Sequence, residues 1–329
     1  MKRKIIALLS VFLIAIIVYY AILPFLPLRG NDVEKRGFVG IKSGRFVVGN
    51  KPFNFVGANV VPESFSNLSS KEERRLARDL VASGTNSGIN VFRVVAEKEV
   101  NGKTVPVEEL VRRCEVYGCY VLIAFDEYRP GMDFEEYKDI ITDYVLRFRE
   151  SKAVFAWEIF SIHSGTEPVS KEDLEAAGEL VYFVNGLDPN HLVAMGGSGL
   201  EIREGTATAT QYKLIQALGD FCIVDYDSEN VDLQLVSDEE ALNRWKGEAS
   251  AFLDVVKECN KRPVLMESFG FRSDLGRSRE GLYQFMLFEA KSRNIAPVFS
   301  FWGPSTGEGT LSVYTYDLDV ISEIGDFYS

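Results

Sequence analysis

The strongest constraint on this chain is an alternation that starts at Phe53 and never breaks. Short apolar runs follow one another, each separated from the next by an amphipathic stretch. Residues 71–84 (KEERRLARDLVASG) lead to INVFRVVA at 89–96, and 106–118 (PVEELVRRCEVYG) lead to CYVLIAFD at 119–126. The helix-like run 133–151 leads to VFAWEIFS, the one from Lys171 to LVAMGGS, and the one from Thr208 to FCIVDYDS. Asp238–Cys259 then leads to PVLMESFG, Arg279–Ser292 to APVFSFWG, and a last helix is expected over Asp317–Phe327. Counted from the run Phe53–Val60, this makes eight strands, each followed by a helix. Near-continuous apolar strands separated by helices form a parallel sheet covered on both faces. Eight such units close into a (β/α)8 TIM barrel, which needs about 250 residues. The 329 residues are sufficient, and nothing after residue 37 suggests a second domain.

Two segments precede the barrel. GFVGIKSGRFVVG alternates about Ser43-Gly44 and reads as a β-hairpin that would plug the bottom of the barrel. Further upstream, Lys2, Arg3 and Lys4 stand before an uncharged run from Ile5 to Leu28. That run exceeds the roughly 20 residues that cross a bilayer and the roughly 7–15 of a signal-peptide core. The organisation expected is a cytoplasmic tip and membrane anchor at 1–29, a linker at 30–37 and the barrel at 38–329. The leading charges place the N-terminus inside and the barrel outside. A long cleaved signal peptide, giving a secreted barrel, is the alternative.

The formal charge of −12 disfavours a nucleic-acid partner, and no basic stripe is expected on any helix. Two histidines, with no His-x-x-His or Cys-x-x-Cys, leave no metal spacing, and no cofactor is expected. Cys114 and Cys119 fall at one helix-to-strand junction at the barrel bottom, and Cys222 and Cys259 lie near another. Bridges 114–119 and 222–259 are therefore reasonable, although four cysteines allow three pairings and buried free thiols are an equal alternative.

Working residues of such barrels lie at the C-terminal strand ends and in the loops beyond. Here those positions hold Arg93, Asp126-Glu127, Ser161-Ile162-His163, Ser198, Asp225-Tyr226-Asp227, Glu267-Ser268 and Trp302. The segments FVVGNKPFNFVGANV, INVFRV, VFAWEIF, NHLVAMGGSG, RPVLMESFG and VFSFW, in this order and spacing, resemble glycoside hydrolase family 5. The likeness is to its endo-β-mannanase-like branch and spans residues 38 to about 303. In that family the fourth strand reads Trp-Glu-Leu-x-Asn-Glu-Pro and the seventh ends Glu-aromatic-Gly. The last glutamate of each motif is, respectively, the acid/base and the nucleophile.

Matching the motifs keeps Trp157 and Glu158, puts Ser161 at the asparagine and Ile162 at the acid/base. Matching Phe269-Gly270 puts Ser268 at the nucleophile. The resemblance also implies that Arg93 supports the nucleophile and that Trp302 is a sugar platform. Isoleucine carries no proton, and a serine needs its own base. The family's retaining reaction is therefore expected to be missing.

Glu158, Asp225 and Glu267 are the candidate substitutes. Glu158 is either a relocated acid or a carboxylate held by Arg93, while strand parity suggests that Glu267 faces the helices. Asp126, Glu127, Asp225 and Asp227 form a new acid pair at the mouth or are solvated loop carboxylates. His163 with Ser161 or Ser268 is a weaker hydrolytic pairing, and His191 reads as structural. Trp302, Trp157, Phe160, Tyr128, Tyr226 and Phe271 either stack sugar rings or pack the core. Arg93, Trp302, Ser161, Asp225, Asp227 and His163 make up the expected ligand-binding set. The leading expectation is an anchored barrel that binds a polysaccharide or oligosaccharide, or serves as a scaffold. The alternatives are an active β-glycan hydrolase with relocated carboxylates and a structural surface protein without ligand.

Overall fold

The computed structural model describes residues 37–60, 62–65, 68–96, 106–125, 134–159, 171–196, 213–226, 231–259, 261–303, 312–313, 320–321 and 324. The expected membrane anchor lies outside these residues. Among the described residues no helix is long and apolar enough to cross a membrane.

An antiparallel three-stranded sheet comes first: β1 (Val39–Lys42), β2 (Arg45–Val48) and β3 (Lys51–Pro52). The β1–β2 turn places Ser43 and Gly44 at φ of 52° and 72°, the left-handed pair that a tight hairpin requires.

The barrel then alternates as expected. β4 (Gly57–Val60) is followed by α1 (Ser70–Asn86), β5 (Val91–Ala96), α2 (Val107–Tyr117) and β6 (Tyr120–Phe125). Next come α3 (Phe134–Phe148), β7 (Val154–Ile159), α4 (Lys171–Leu187), β8 (Leu192–Met195) and β9 (Cys222–Asp225). α5 (Leu233–Ser237), α6 (Glu239–Val256), β10 (Val264–Phe269), α7 (Arg277–Ser292) and β11 (Ile295–Phe299) complete it. The single helix expected over 238–259 is preceded by a separate short one, because Asp238 accepts the amides of Glu240 and Ala241 and caps α6. A two-stranded ribbon, β12 (Phe301–Trp302) with β13 (Ser312–Val313), lies beyond β11.

All eight barrel strands run parallel in the order β8-β7-β6-β5-β4-β11-β10-β9, and a parallel bridge from Ala194 to Phe221 joins the two ends. Two apolar clusters result. The larger lies between sheet and helices; the smaller fills the barrel interior below the mouth. Phe46 of β2 enters that lower cluster, with its ring centroid 5.2 Å from both Phe155 and Phe221. The hairpin thus plugs the bottom, and the run expected as strand Phe53–Val60 begins its ladder only at Gly57 because Phe53 and Phe55 belong to the plug. Disulfides join Cys114 to Cys119 and Cys222 to Cys259. His191 is buried against Asp188 (Nδ1 to Oδ2 2.6 Å) and the Ser151 carbonyl, a structural position as expected.

Candidate functional site

Above the apolar plug the inward-facing positions turn polar. Arg93 projects from β5, Glu158 from β7, Asn59 from β4 and Glu267 from β10. Arg93 grips Glu158 with both arms of its guanidinium, Nε to Oε2 and Nη2 to Oε1, each 2.7 Å. The same Nη2 is 2.7 Å from Glu267 Oε1, and Nη1 donates to Asn59 Oδ1 at 3.0 Å. Asn59 in turn donates through Nδ2 to the carbonyls of Glu267 and Phe299, both at 3.1 Å, which fixes the end of β10 against β4 and β11. Asn59 escaped the sequence reading. The available signal was a lone amide in the apolar run GANV at a C-terminal strand end.

The position of Glu267 overturns the expectation that it faces the helices. Leu265 belongs to the interior cluster and Met266 to the helix-side one, so Glu267, two residues past Leu265, points inward. The strand is then bulged: Met266 pairs with Val224 and Ser268 with Asp225, two residues' advance against one. A bulge takes up one extra residue and resets the facing of the residues beyond it. Phe269 consequently returns to the helix-side cluster, as an aromatic directly after an inward glutamate would. Ser268 is the extra residue, its hydroxyl donating to Ser300 Oγ at 3.2 Å. The inward carboxylate of this strand end is therefore Glu267.

Electrostatics separate the acids. Burial, the largest effect, pushes Glu267 well above the usual carboxylate range; repulsion from Glu158 and Asp225 adds to this, while Arg93 opposes it. Arg93 is held above its usual value, its neighbours Glu158, Glu267 and Asp225 outweighing the burial that would lower it. One cation stands among three carboxylates, and the net negative charge opposes ionisation of Glu267. Glu158 Oε1 and Glu267 Oε1 thus share one nitrogen of Arg93, each 2.7 Å from it. Both Glu158 oxygens are spent on Arg93, and its side chain is 4% exposed against 14% for Glu267. Glu158 is held by Arg93, and Glu267 is the more exposed of the two carboxyl groups.

Other expected site residues fall elsewhere. Trp302 is fully buried, its Nε1 donating to the Leu80 carbonyl of α1 at 3.1 Å, so its ring packs between barrel and helix. Trp157, Tyr226 and Phe271 are likewise enclosed, with Trp157 Nε1 bound to Asp188 Oδ2 at 2.8 Å. Trp157 on β7, Tyr226 just past β9 and Phe271 just past β10 all belong to the helix-side cluster. Asp225 is half-buried beside the cluster. Ser161, Ile162, His163, Asp227, Asp126, Glu127, Tyr128, Phe160 and Ser198 lie outside the described residues.

No protein-family model matches the chain. Among curated proteins it is similar to mannan endo-1,4-beta-mannosidase A of Podospora anserina, 23% identical over 322 residues, covering 82% of this chain and 83% of that protein. It is also similar to probable mannan endo-1,4-beta-mannosidase C of Aspergillus terreus, 23% identical over 237 residues and 52% of this chain. A probable mannan endo-1,4-beta-mannosidase F of Aspergillus oryzae is 28% identical over 148 residues and 42% of this chain. The chain spans 57% and 30% of the length of these two Aspergillus relatives. Its barrel superimposes on the endo-1,4-beta-D-mannanase of Thermotoga petrophila with a TM-score of 0.65, at 16% identity over 84% of this chain and 99% of that one. The family 5 mannosidase of Rhizomucor miehei gives 0.65 at 15% identity, over 88% and 97%. The fold is that of the family 5 mannanases. Within the family 5 pattern, an inward glutamate on the arginine of the second strand is what the resemblance implies for the nucleophile, and Glu267 stands in that relation to Arg93.

Proposed function

We propose that the protein is a β-mannan-directed barrel that keeps the nucleophile half of a retaining site and lacks the acid/base half. The observation that carries this reading is the inward carboxylate of Glu267 on Arg93 at the end of the seventh barrel strand. The opposite half is absent by sequence, since the fourth-strand motif places Ile162 where a proton donor belongs. Such a site binds β-1,4-linked mannose oligomers at the mouth and leaves ordinary glycosidic bonds intact, because a sugar alkoxide leaves only when protonated. The run Ile5–Leu28 behind Lys2, Arg3 and Lys4 supports a single-pass anchor with the barrel outside the cell membrane.

The test uses the full-length chain in neutral detergent. Titration with mannose oligomers reads binding, and a dinitrophenyl mannoside, whose phenolate departs without protonation, reads the nucleophile. Expected are saturable binding, a mannosyl adduct located on Glu267 by mass spectrometry that forms faster as rising pH ionises its carboxyl group, and no adduct in Glu267→Gln. Turnover of mannan itself should appear only with Ile162→Glu. Mannan turnover by the unaltered protein that disappears on Asp225→Ala would instead establish relocated acid catalysis.

A further inference from the structure

On the outer wall of the barrel one groove is charged oppositely to the protein as a whole. It encloses about 580 Å³ between α1 and α2. Lys71, Arg74, Arg75 and Arg78 line it from α1, and Arg112 and Arg113 from α2, in a chain whose formal charge is −12. The expectation that no helix carries a basic stripe is corrected here. On α1 Lys71, Arg74, Arg75 and Arg78 fall at i, i+3, i+4 and i+7, one face of the helix, and Arg112 and Arg113 of α2 supply the other side.

The guanidinium groups are held rather than loose. Asp79 gathers one pair, with Arg78 Nη2 2.9 Å from Oδ1 and Arg75 Nε 3.6 Å from Oδ2. Glu109 gathers the other, with Arg112 Nη2 and Arg113 Nε each 2.7 Å from Oε1. Burial alone would raise Glu109, but the hydrogen bonds from Arg112 and Arg113 prevail and keep it below the usual carboxylate range. Glu72 is turned to the α1 N-terminus, accepting the Ser69 amide at 2.8 Å and its hydroxyl at 2.6 Å. Lys71 and Arg74 form no ion pair among the described residues, and both are exposed. Six cations stand against Glu72, Glu73, Asp79 and Glu109, with Glu115 acting on Arg112, which leaves a small positive excess. The forks of Arg78 and Arg112 are taken up by Asp79 and Glu109, so Lys71 and Arg74 are the groups left to meet carboxylate or sulfate oxygens.

From Lys71 to Arg78 the charges run about 10 Å along α1, at 1.5 Å per residue. That length exceeds a single anion and suits charges repeated along a chain. Helix N-termini of a (β/α)8 barrel lie on the same side as the strand C-termini, so the groove opens towards the mouth at its Lys71 end. We propose that this groove binds an anionic polysaccharide bearing carboxylate or sulfate groups, in continuity with the mouth. The choice of a polysaccharide rests on the mannan-directed reading of the mouth, whereas the preference for a polyanion rests on the groove alone.

The experiment measures affinity of the full-length chain in neutral detergent for polygalacturonate, dextran sulfate, sulfate ion, a short DNA duplex and nanodiscs of anionic phospholipid. Neutral mannose oligomers are titrated in parallel. Expected is polysaccharide binding that weakens steeply with salt, falls roughly ten-fold or more in Lys71→Glu with Arg74→Glu, and is unchanged in Lys51→Glu. Arg112→Gln, which leaves the α1 cations in place, should give a smaller loss. Mannose-oligomer affinity should not move in any of these variants. Equal polysaccharide binding by the double variant, or none by the unaltered chain, overturns the site. Sulfate ion bound as tightly as the polymers overturns the extended ligand, and tighter binding of duplex or lipid overturns the polysaccharide. If mannose oligomers fail to bind while the charge reversal still acts, the mouth reading falls and the polyanion groove stands.

Discussion

Arg93 and Glu267 meet at 2.7 Å across the barrel, through the same nitrogen that holds Glu158. Glu267 faces inward by plain alternation, two residues past Leu265, and the one-residue bulge beside it lets Phe269 face outward as well. Removing the cation should be severe. Arg93→Met strands Glu158, whose side chain is 4% exposed, without a counter-charge. Breaking one side of a buried pair costs about 3–5 kcal/mol. Urea unfolding should show that loss for Arg93→Met, and a markedly smaller one when Glu158→Gln is added to it.

Glu267 should also leave a mark on stability against pH. Its ordinary value is 4.5, and burial with the neighbouring acids raises it well above that in the fold. The unfolded chain then releases its proton first, so the native state binds more protons over the interval between the two values. Stability consequently falls as pH rises through that interval. Melting temperatures of the protein and of Glu267→Gln, taken from about pH 5 to about pH 8, should diverge in favour of the variant as pH rises. Parallel curves would mean that Glu267 is ionised in the fold throughout.

How much of this was legible beforehand differs by element. The eight strand-helix units were readable because strand and helix periods leave different apolar patterns, and the plug because Ser43-Gly44 admits a hairpin turn. Arg93 with Glu158 was readable as well, both being charges in otherwise apolar strands. Glu267 was misassigned because parity counting presumes a regular strand, and a bulge is invisible to it. Trp302 was misassigned because a residue at a strand end belongs to mouth or helix layer by its facing, which the motif does not state. The basic groove had a signature on α1, where Lys71, Arg74, Arg75 and Arg78 share one face, but Glu72, Glu73 and Asp79 between them hid it from a reading of charge along the chain.

The two disulfides should differ in what they contribute. Cys222 and Cys259 are 37 positions apart and Cys114 and Cys119 only 5. Loop-closure entropy gives about 4 kcal/mol for the longer loop and about 2 kcal/mol for the shorter at 25 °C. The double serine variant of the first pair should therefore unfold at clearly lower urea than that of the second. Equal losses would show that native-state packing around the sulfurs, rather than chain entropy, sets their worth.

Trp302 supplies a test that separates core from sugar platform. Its Nε1 donates to the Leu80 carbonyl, and the indole is fully buried beside Gly84, where an added Cβ would stand 3.0 Å from Nε1 and 2.6 Å from the Phe92 ring. Trp302→Phe removes this donor while the Ser83 hydroxyl still reaches the Leu80 carbonyl at 3.2 Å, so the lost hydrogen bond costs about 0.5–1.5 kcal/mol. Gly84→Ala forces the helix away from both rings, and overpacking of this kind costs about 1–3 kcal/mol. Both variants should lower the urea midpoint while leaving the affinity for mannose oligomers unchanged. A Trp302→Phe protein of unaltered stability with weakened mannose binding would instead return the indole to the mouth, with its ring exposed when sugar is bound. The Gly84→Ala result decides between these, since its only route to the ligand is through the packing that Trp302 and Phe92 share.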